Sequence, residues 1–374
     1  MKWIGCEILL FISLLFSLPQ AFALELQVKP GVSARPTTLH WPLQNALETY
    51  LKNKRNPLAA VVVVDVASGK VLAIAEGGRP KGWSKGHLAL YPSFPAASIF
   101  KTVSTAAALE MDVFHAKQKM TLTGGCANIH ARGGWLRDVK PHRRNSLSLQ
   151  RAYGNSCNGF FAKLAVNHVG LGNVLHYAEK LGWRKQIPAD FNIPVSPMFP
   201  PSPSESNVQT VGRFAAGFGA VGLSAVHAAW LNLVVARDGY ALPLSLYSDH
   251  PLPQVSPPLL SMKTTTELRK IMTRTVQGGT AGSVFRGRYR HLRRSAAGKT
   301  GTLTGRDPAG LTTWFAGMMP YEKPEVVVSA VVVTHDLWLI KAPHLAAEAL
   351  RLWKILKPKQ LPVAASQKKS KETL

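Results

Sequence analysis

Acidic side chains are scarce in this chain: 20 Asp and Glu stand against 45 Lys and Arg, a formal net charge of +25. A surface so poor in carboxylates favours polyanions: nucleic acid, anionic lipid or an acidic polymer such as cell wall. Cysteine is scarcer still, and three cysteines in 374 residues exclude a disulfide-dense fold. The 12 histidines show no His-x-x-x-His or Cys/His ligand spacing, so neither a metal nor a cofactor is implied. A hydrophobic fraction of 46% excludes wholesale disorder and suffices for a sizeable core.

Long apolar runs are also missing. The longest N-terminal one, Ile8 to Leu18, falls short of the roughly 20 residues a membrane-spanning helix needs. Lys2 precedes it and Ala21-Phe22-Ala23 follows, the small-x-small pattern of a signal-peptide cleavage site. Residues 1–23 are therefore expected to be a signal peptide cut after Ala23, or an uncleaved anchor. Either places the chain in the periplasm or elsewhere outside the cytoplasm and removes nucleic acid as an expected partner. Cys126 and Cys157 remain after cleavage, as two separate thiols or as a pair in an oxidising compartment.

What is present divides into segments. Residues 24–57 form a lead segment with one helix at 41–54. A β-branched run at 59–66, a Ser-Gly turn at 67–70 and a second strand at 71–75 make a hairpin with a buried face. Residues 96–114 read as one helix, 121–150 as loop. Helical patterns cover 148–154, 158–169, 172–181, 224–238 and 264–277, with a Pro-rich loop at 188–203. Strands at 297–304, 313–319 and 325–334 precede a closing helix at 344–356. The implied fold class is α/β (α+β): a central antiparallel sheet built from N- and C-terminal strands, flanked by a mainly helical block. One domain fills residues 58–356, and 357–374 form a basic tail.

Three short motifs carry chemistry. In Ser98-Ile99-Phe100-Lys101 the serine and lysine share one face of a helix start. A serine hydroxyl attacks poorly unless a base takes its proton, and Lys101 serves if burial and nearby positive charge lower its pKa. In Ser156-Cys157-Asn158, Ser156 is placed to relay a proton to a leaving amine and Asn158 to hold a substrate amide; both also suit a plain helix cap. In Lys299-Thr300-Gly301-Thr302, Gly301 lets a substrate backbone approach, while Lys299, Thr300 and Thr302 suit a terminal carboxylate. Each motif is weak alone, and Ser-x-x-Lys recurs at Ser366 to Lys369. The ordered set is specific.

With that set the chain resembles the transpeptidase domain of penicillin-binding proteins, over about residues 58–356. The hairpin, Gly217-Phe218-Gly219 with Leu223-Ser224-Ala225, Gly278-Gly279-Thr280-Ala281 and Trp314-Phe315-Ala316-Gly317 are similar to further family elements. The Ser-Cys-Asn form resembles monofunctional members. The resemblance implies Ser98 as acylated nucleophile, Lys101 as its base, Ser156 and Lys299 as catalytic partners, and Asn158, Thr300, Gly301 and Thr302 as substrate-binding residues. It implies an oxyanion hole from the Ser98 and Thr302 backbone N–H groups, peptidoglycan stem peptides ending in D-Ala-D-Ala as substrates, and β-lactams as ligands. A D,D-carboxypeptidase, a serine β-lactamase and a non-catalytic wall binder share parts of this pattern. The β-lactamase needs a water-activating residue, and Glu179 and Glu205 lie in the relevant interval outside any convincing motif. The five arginines of residues 286–294 are expected to form a solvated basic loop or to hold an anionic wall or membrane surface.

Overall fold

A computed structural model of the chain describes residues 36–357 apart from 55–57, 79–82, 128, 131, 143–144, 248–256 and 335–339. The expected signal peptide and the basic tail beyond Lys357 lie outside the described residues.

Helix α1 (Trp41–Lys54) leads into the hairpin β1 (Leu58–Asp65) and β2 (Val71–Gly77). The turn forms because the Asp65 carboxylate accepts the backbone N–H and the hydroxyl of Ser68, at 2.9 and 2.6 Å, while Gly69 takes a positive φ of 74°. The short strand β3 (Phe94–Pro95) precedes a 3₁₀ turn, Ala97–Phe100, and α2 (Lys101–Glu110). Strands β4 (Lys119–Thr121) and β5 (Ser146–Ser148) bracket a long loop, then come α3 (Leu149–Gly154), α4 (Asn158–Leu164) and α5 (Leu171–Lys180). Next follow β6 (Met198–Phe199), α6 (Val208–Arg213), β7 (Ala220–Leu223), α7 (Ala225–Ala236) and α8 (Met262–Gln277). The chain closes with β8 (Ala297–Arg306), β9 (Ala309–Met319), β10 (Val326–Thr334) and α9 (Ala342–Leu356).

The main sheet runs β2-β1-β10-β9-β8, antiparallel throughout, so strands from the two ends of the domain do form one sheet. In β10 every residue is buried, which is why the sequence shows a continuous apolar run rather than alternation. Leu43, Leu47 and Leu51 of α1 and Leu345, Leu350 and Trp353 of α9 form one core with Val61, Val63, Val328 and Val332. Helix α7 packs on β1, β9 and β10. It is buried on all sides, as befits a helix apolar all round.

Some expected elements differ. The single helix expected at 96–114 is a 3₁₀ turn followed by α2, which stops at Glu110, because Ala97 adopts φ 48° and Asp112 φ 57°. The stretch expected as loop, 121–150, holds the β4–β5 pair and a 3₁₀ turn at Gly134–Leu136. Helix α6 was not anticipated. Its signal was Asn207 three residues before Thr210: the Asn207 side chain accepts from the Gln209 and Thr210 N–H groups, and Thr210 reciprocates to the Asn207 N–H.

His227 of α7 gives the fold a pH dependence. It is fully buried, with Nε2 2.8 Å from the Leu181 carbonyl and Nδ1 2.7 Å from Ser196 Oγ. A carbonyl only accepts, so Nε2 carries the proton and Nδ1 accepts from the serine. Burial pushes the His227 pKa down to about 4. The unfolded chain therefore binds a proton that the folded one refuses between pH 6.5 and about 4, and acidification through that window destabilises the fold. The contribution is about 3 kcal/mol. His227→Gln is expected to flatten the slope of stability against pH there, measured by urea unfolding; an unchanged slope would contradict the assignment.

Candidate active site

The three motifs converge on one cleft. Ser98 sits in the 3₁₀ turn and Lys101 opens α2. The turn is held by its surroundings: the Ala96 N–H donates to the Val221 carbonyl at 2.9 Å, and Trp314 Nε1 donates to Pro95 O at 2.9 Å. Ala97, directly before Ser98, takes a left-handed φ of 48°, and Ser156 one of 56°. Such values cost about 1–3 kcal/mol each and persist only where packing enforces them.

Lys101 is fully buried. Its Nζ lies 2.6 Å from Ser98 Oγ, 2.9 Å from Asn158 Oδ1 and 2.7 Å from the Ala216 carbonyl. Burial first, and the charge of Lys299 second, hold its pKa well below the ordinary lysine value. Lys299, also buried, donates to Ser156 Oγ at 3.0 Å and to its neighbour's carbonyl, Thr300 O, at 2.8 Å. Burial brings its pKa down to about 7. The two lysines thus form two pairs, Lys101 with Ser98 and Lys299 with Ser156. Asn158 joins the first pair through its side-chain oxygen.

The cleft above them has a volume of about 280 Å³. Ser98, Ser156, Asn158, Thr300, Gly301 and Thr302 all line it, while the two lysine amines lie beneath. Among the described residues strand β8 is the last of the sheet, with β9 as its one sheet neighbour. Its outer edge is available to an extended peptide. Sequence reasoning did not name Phe218, Thr280, Trp314 or Lys341 as site residues, yet they also line the cleft. Thr280 hydrogen bonds Thr300 hydroxyl to hydroxyl, and its N–H donates to Gly154 O at 3.0 Å. The signals for three of them were the Gly-x-Gly, Gly-Thr-Ala and Trp-Phe-x-Gly stretches; Lys341 had none.

Among the described residues no carboxylate lines the cleft. Glu179 lies 3.6 Å from Arg184, and Glu205 accepts from the Ser202 hydroxyl at 2.8 Å in a neighbouring groove. Residues 286–294 do not line the cleft either; Arg286, Arg288, Arg290 and Arg294 are exposed, while Tyr289 and Leu292 anchor the segment.

Cys126 and Cys157, which the sequence leaves as two separate thiols or a pair, are joined by a disulfide, with Cα atoms 4.7 Å apart. It ties the loop before β5 to the residue between Ser156 and Asn158. The Gly159 N–H donates to Cys126 O at 2.8 Å beside it. The bridge closes a loop with a sequence separation of 31, for which chain entropy gives roughly 3–4 kcal/mol. Cys126→Ser is expected to lower stability by about that amount in urea unfolding. A non-reducing peptide map of the wild type should recover the linked peptides; two free thiols would refute the bridge.

The family described as the penicillin binding protein transpeptidase domain matches residues 59–351. The "Probable peptidoglycan D,D-transpeptidase PbpC" of Pseudomonas aeruginosa is 26% identical over 287 residues, 73% of this chain and 48% of that protein. This chain thus spans about half the length of that curated relative. The D,D-transpeptidase domain of a peptidoglycan glycosyltransferase from Eggerthella lenta shares the fold with a TM-score of 0.69 at 23% identity, over 86% of this chain and 83% of that one. Penicillin binding protein 3 from Mycobacterium tuberculosis, solved in complex with aztreonam, also gives 0.69, at 18% identity over 86% and 79% of the two chains.

Proposed function

We infer that this chain, which belongs to the penicillin binding protein transpeptidase domain family, is a peptidoglycan D,D-transpeptidase that works through an acyl-enzyme on Ser98. The observation that carries the reading is the set of partners around Lys101. Asn158 Oδ1 and Ala216 O only accept hydrogen bonds. A neutral amine has two N–H donors and one lone pair, so two donors serve these oxygens and the lone pair is left for Ser98, 2.6 Å away. The serine hydroxyl then donates to Lys101, the arrangement of a nucleophile with its general base.

The steps follow from this geometry. A stem peptide ending in D-Ala-D-Ala lies along the β8 edge, its terminal carboxylate near Thr300, Thr302 and the Lys299 cation. Ser98 Oγ attacks the penultimate carbonyl carbon as its proton passes to Lys101, and the carbonyl oxygen becomes an oxyanion facing the Ser98 and Thr302 N–H groups. The C–N bond breaks as Ser156, held by Lys299 at 3.0 Å, relays a proton to the leaving amine. D-Ala departs and an ester remains on Ser98. An amine from a neighbouring stem attacks that ester, loses its proton to the site and regenerates Ser98. Water in place of the amine gives the carboxypeptidase outcome.

A β-lactam amide enters the same path, and with no carboxylate lining the cleft among the described residues to activate water the resulting ester persists. Export by the residue 1–23 signal places the site at the cell wall, and the exposed arginines of residues 286–294 suit an anionic wall or membrane surface. The test is intact mass of the residue 24–374 protein after incubation with benzylpenicillin, followed by peptide mapping. A stable adduct on the Ser98 peptide is expected. Rapid drug consumption without an adduct would instead indicate a β-lactamase, and neither adduct nor consumption would end the enzymatic reading.

A further inference from the structure

Lys299 acts as a cation in acyl transfer, yet burial works against that charge. Among the described residues no carboxylate pairs with it. An ammonium has three N–H donors. Two serve Ser156 Oγ at 3.0 Å and Thr300 O at 2.8 Å. The other neighbour is an aromatic face: Nζ stands over the Tyr153 ring, 5.4 Å from its centroid. Tyr153 belongs to α3, three residues before Ser156, and is fully buried. Its hydroxyl lies 2.9 Å from Thr102 Oγ1 of α2. Its ring forms a T-shaped pair with Phe161 of α4, centroids 6.3 Å apart. The ring is thus held at its hydroxyl end by α2 and on one side by α4, while β8 brings Lys299 over its face.

The face of an aromatic ring is negative, and a cation set over it away from water is held more strongly than one at the surface. We propose that Tyr153 is a positioning residue whose ring face keeps the Lys299 ammonium charged beneath Ser156 until the donor carboxylate joins it. The use made of that charge rests on the acyl-transfer reading above; the hold of the ring on the amine does not. Few other charges face Lys299. Lys101 comes from α2, and β9 sets Ala316 opposite Lys299. On α8, which packs against β8, Arg269 pairs with Asp238, Lys263 with Asp112, and Glu267 accepts from the Ala116 N–H. Arg151 of α3 and Lys270 and Arg274 of α8 are exposed. The ring is therefore the one group on these elements placed to favour the ammonium from within the protein.

The test alters the charge distribution of the ring and keeps its shape. Tyr153→Phe removes the hydroxyl alone, so it should weaken the fold through the lost Thr102 contact and leave the Lys299 titration in place. Replacing Tyr153 with mono-, di- and trifluorophenylalanine then drains the negative face in steps while a ring still fills the site. The Lys299 amine is titrated by NMR on isotope-labelled lysine, its signal assigned by its loss in Lys299→Met. The midpoint, about 7 in the wild type, is expected to fall with each added fluorine, by about one pH unit across the series. Acylation by benzylpenicillin should slow in the same order. A midpoint that stays in place along the series would overturn the proposal, as would a falling midpoint with unchanged acylation. A wild type that fails to acylate would instead strike the acyl-transfer reading, and the titration would still decide whether the ring holds the charge.

Discussion

Lys101→Met is expected to slow penicilloyl-enzyme formation by about a thousandfold or more, and Ser98→Ala to abolish it. A positioned general base contributes typically about 10²–10⁴ in rate. Here one amine is the only base within hydrogen-bond reach of the Ser98 hydroxyl among the described residues. Methionine keeps the unbranched shape and removes the lone pair. It also strips donors from Asn158 Oδ1 and Ala216 O, a loss of roughly 1–3 kcal/mol per unsatisfied group. Relief from burying an amine offsets part of that, so stability should change far less than rate. The pH dependence separates base from scaffold. The depressed Lys101 pKa makes wild-type acylation rise with pH through that value, as the ammonium gives up its proton, and then level off. Removing the Lys299 charge with Lys299→Met takes away one cause of the depression, so the Lys101 pKa rises and the acidic limb moves to higher pH. Stopped-flow acylation across pH 4–9 measures both limbs. An acidic limb that stays in place in Lys299→Met would show that the two amines are not electrostatically coupled.

How much of this was legible in the sequence depended on whether the cause was local. The strands β1, β8 and β10 and helix α1 announced themselves by composition and periodicity, because each answers to its own neighbours. That Ser98, Lys101, Ser156 and Lys299 come together was legible because the three motifs stand in order on a turn into a helix, a loop before a helix and a strand, and the fold brings them to one cleft. Asn158 was read as a holder of substrate amide, and it lines the cleft, yet its side-chain oxygen sits on Lys101. That contact spans 57 residues, and no local pattern encodes it. The same holds for the Cys126–Cys157 bridge, since pairing of two distant cysteines is a property of the fold. The neighbouring groove, which Glu205 and Phe218 line, was invisible for a further reason. Its walls come from a Pro-rich loop and from a six-residue helix too short to show a period.

The position with the second largest expected effect, Gly217, belongs to that non-local class. It adopts φ 89°, and a Cβ built on it meets the Ala97 carbonyl oxygen at 2.0 Å and its carbon at 2.6 Å. Neither atom is the end of a flexible side chain; both are backbone of the residue before Ser98. Gly217→Ala therefore meets two penalties at once: an L-residue in the left-handed region, about 1–2 kcal/mol, and a forced backbone shift of the kind that overpacking imposes, about 1–3 kcal/mol. The shift falls on Ala97, already at φ 48°, and so on Ser98. Misplacing a reacting group by about 1 Å costs roughly a hundredfold in rate. Gly217→Ala is expected to lose about 2–5 kcal/mol of stability, the sum of the two, and to acylate at least a hundredfold more slowly. Gly278→Ala is the matched control, because nothing lies within 4 Å of its Cβ, and both quantities should stay near wild type. If Gly217→Ala kept wild-type stability and rate, the turn that presents Ser98 would not be held by this contact. If it lost stability alone, with acylation intact below its melting temperature, the close approach would serve the fold and leave the nucleophile's aim to the Trp314 and Val221 contacts.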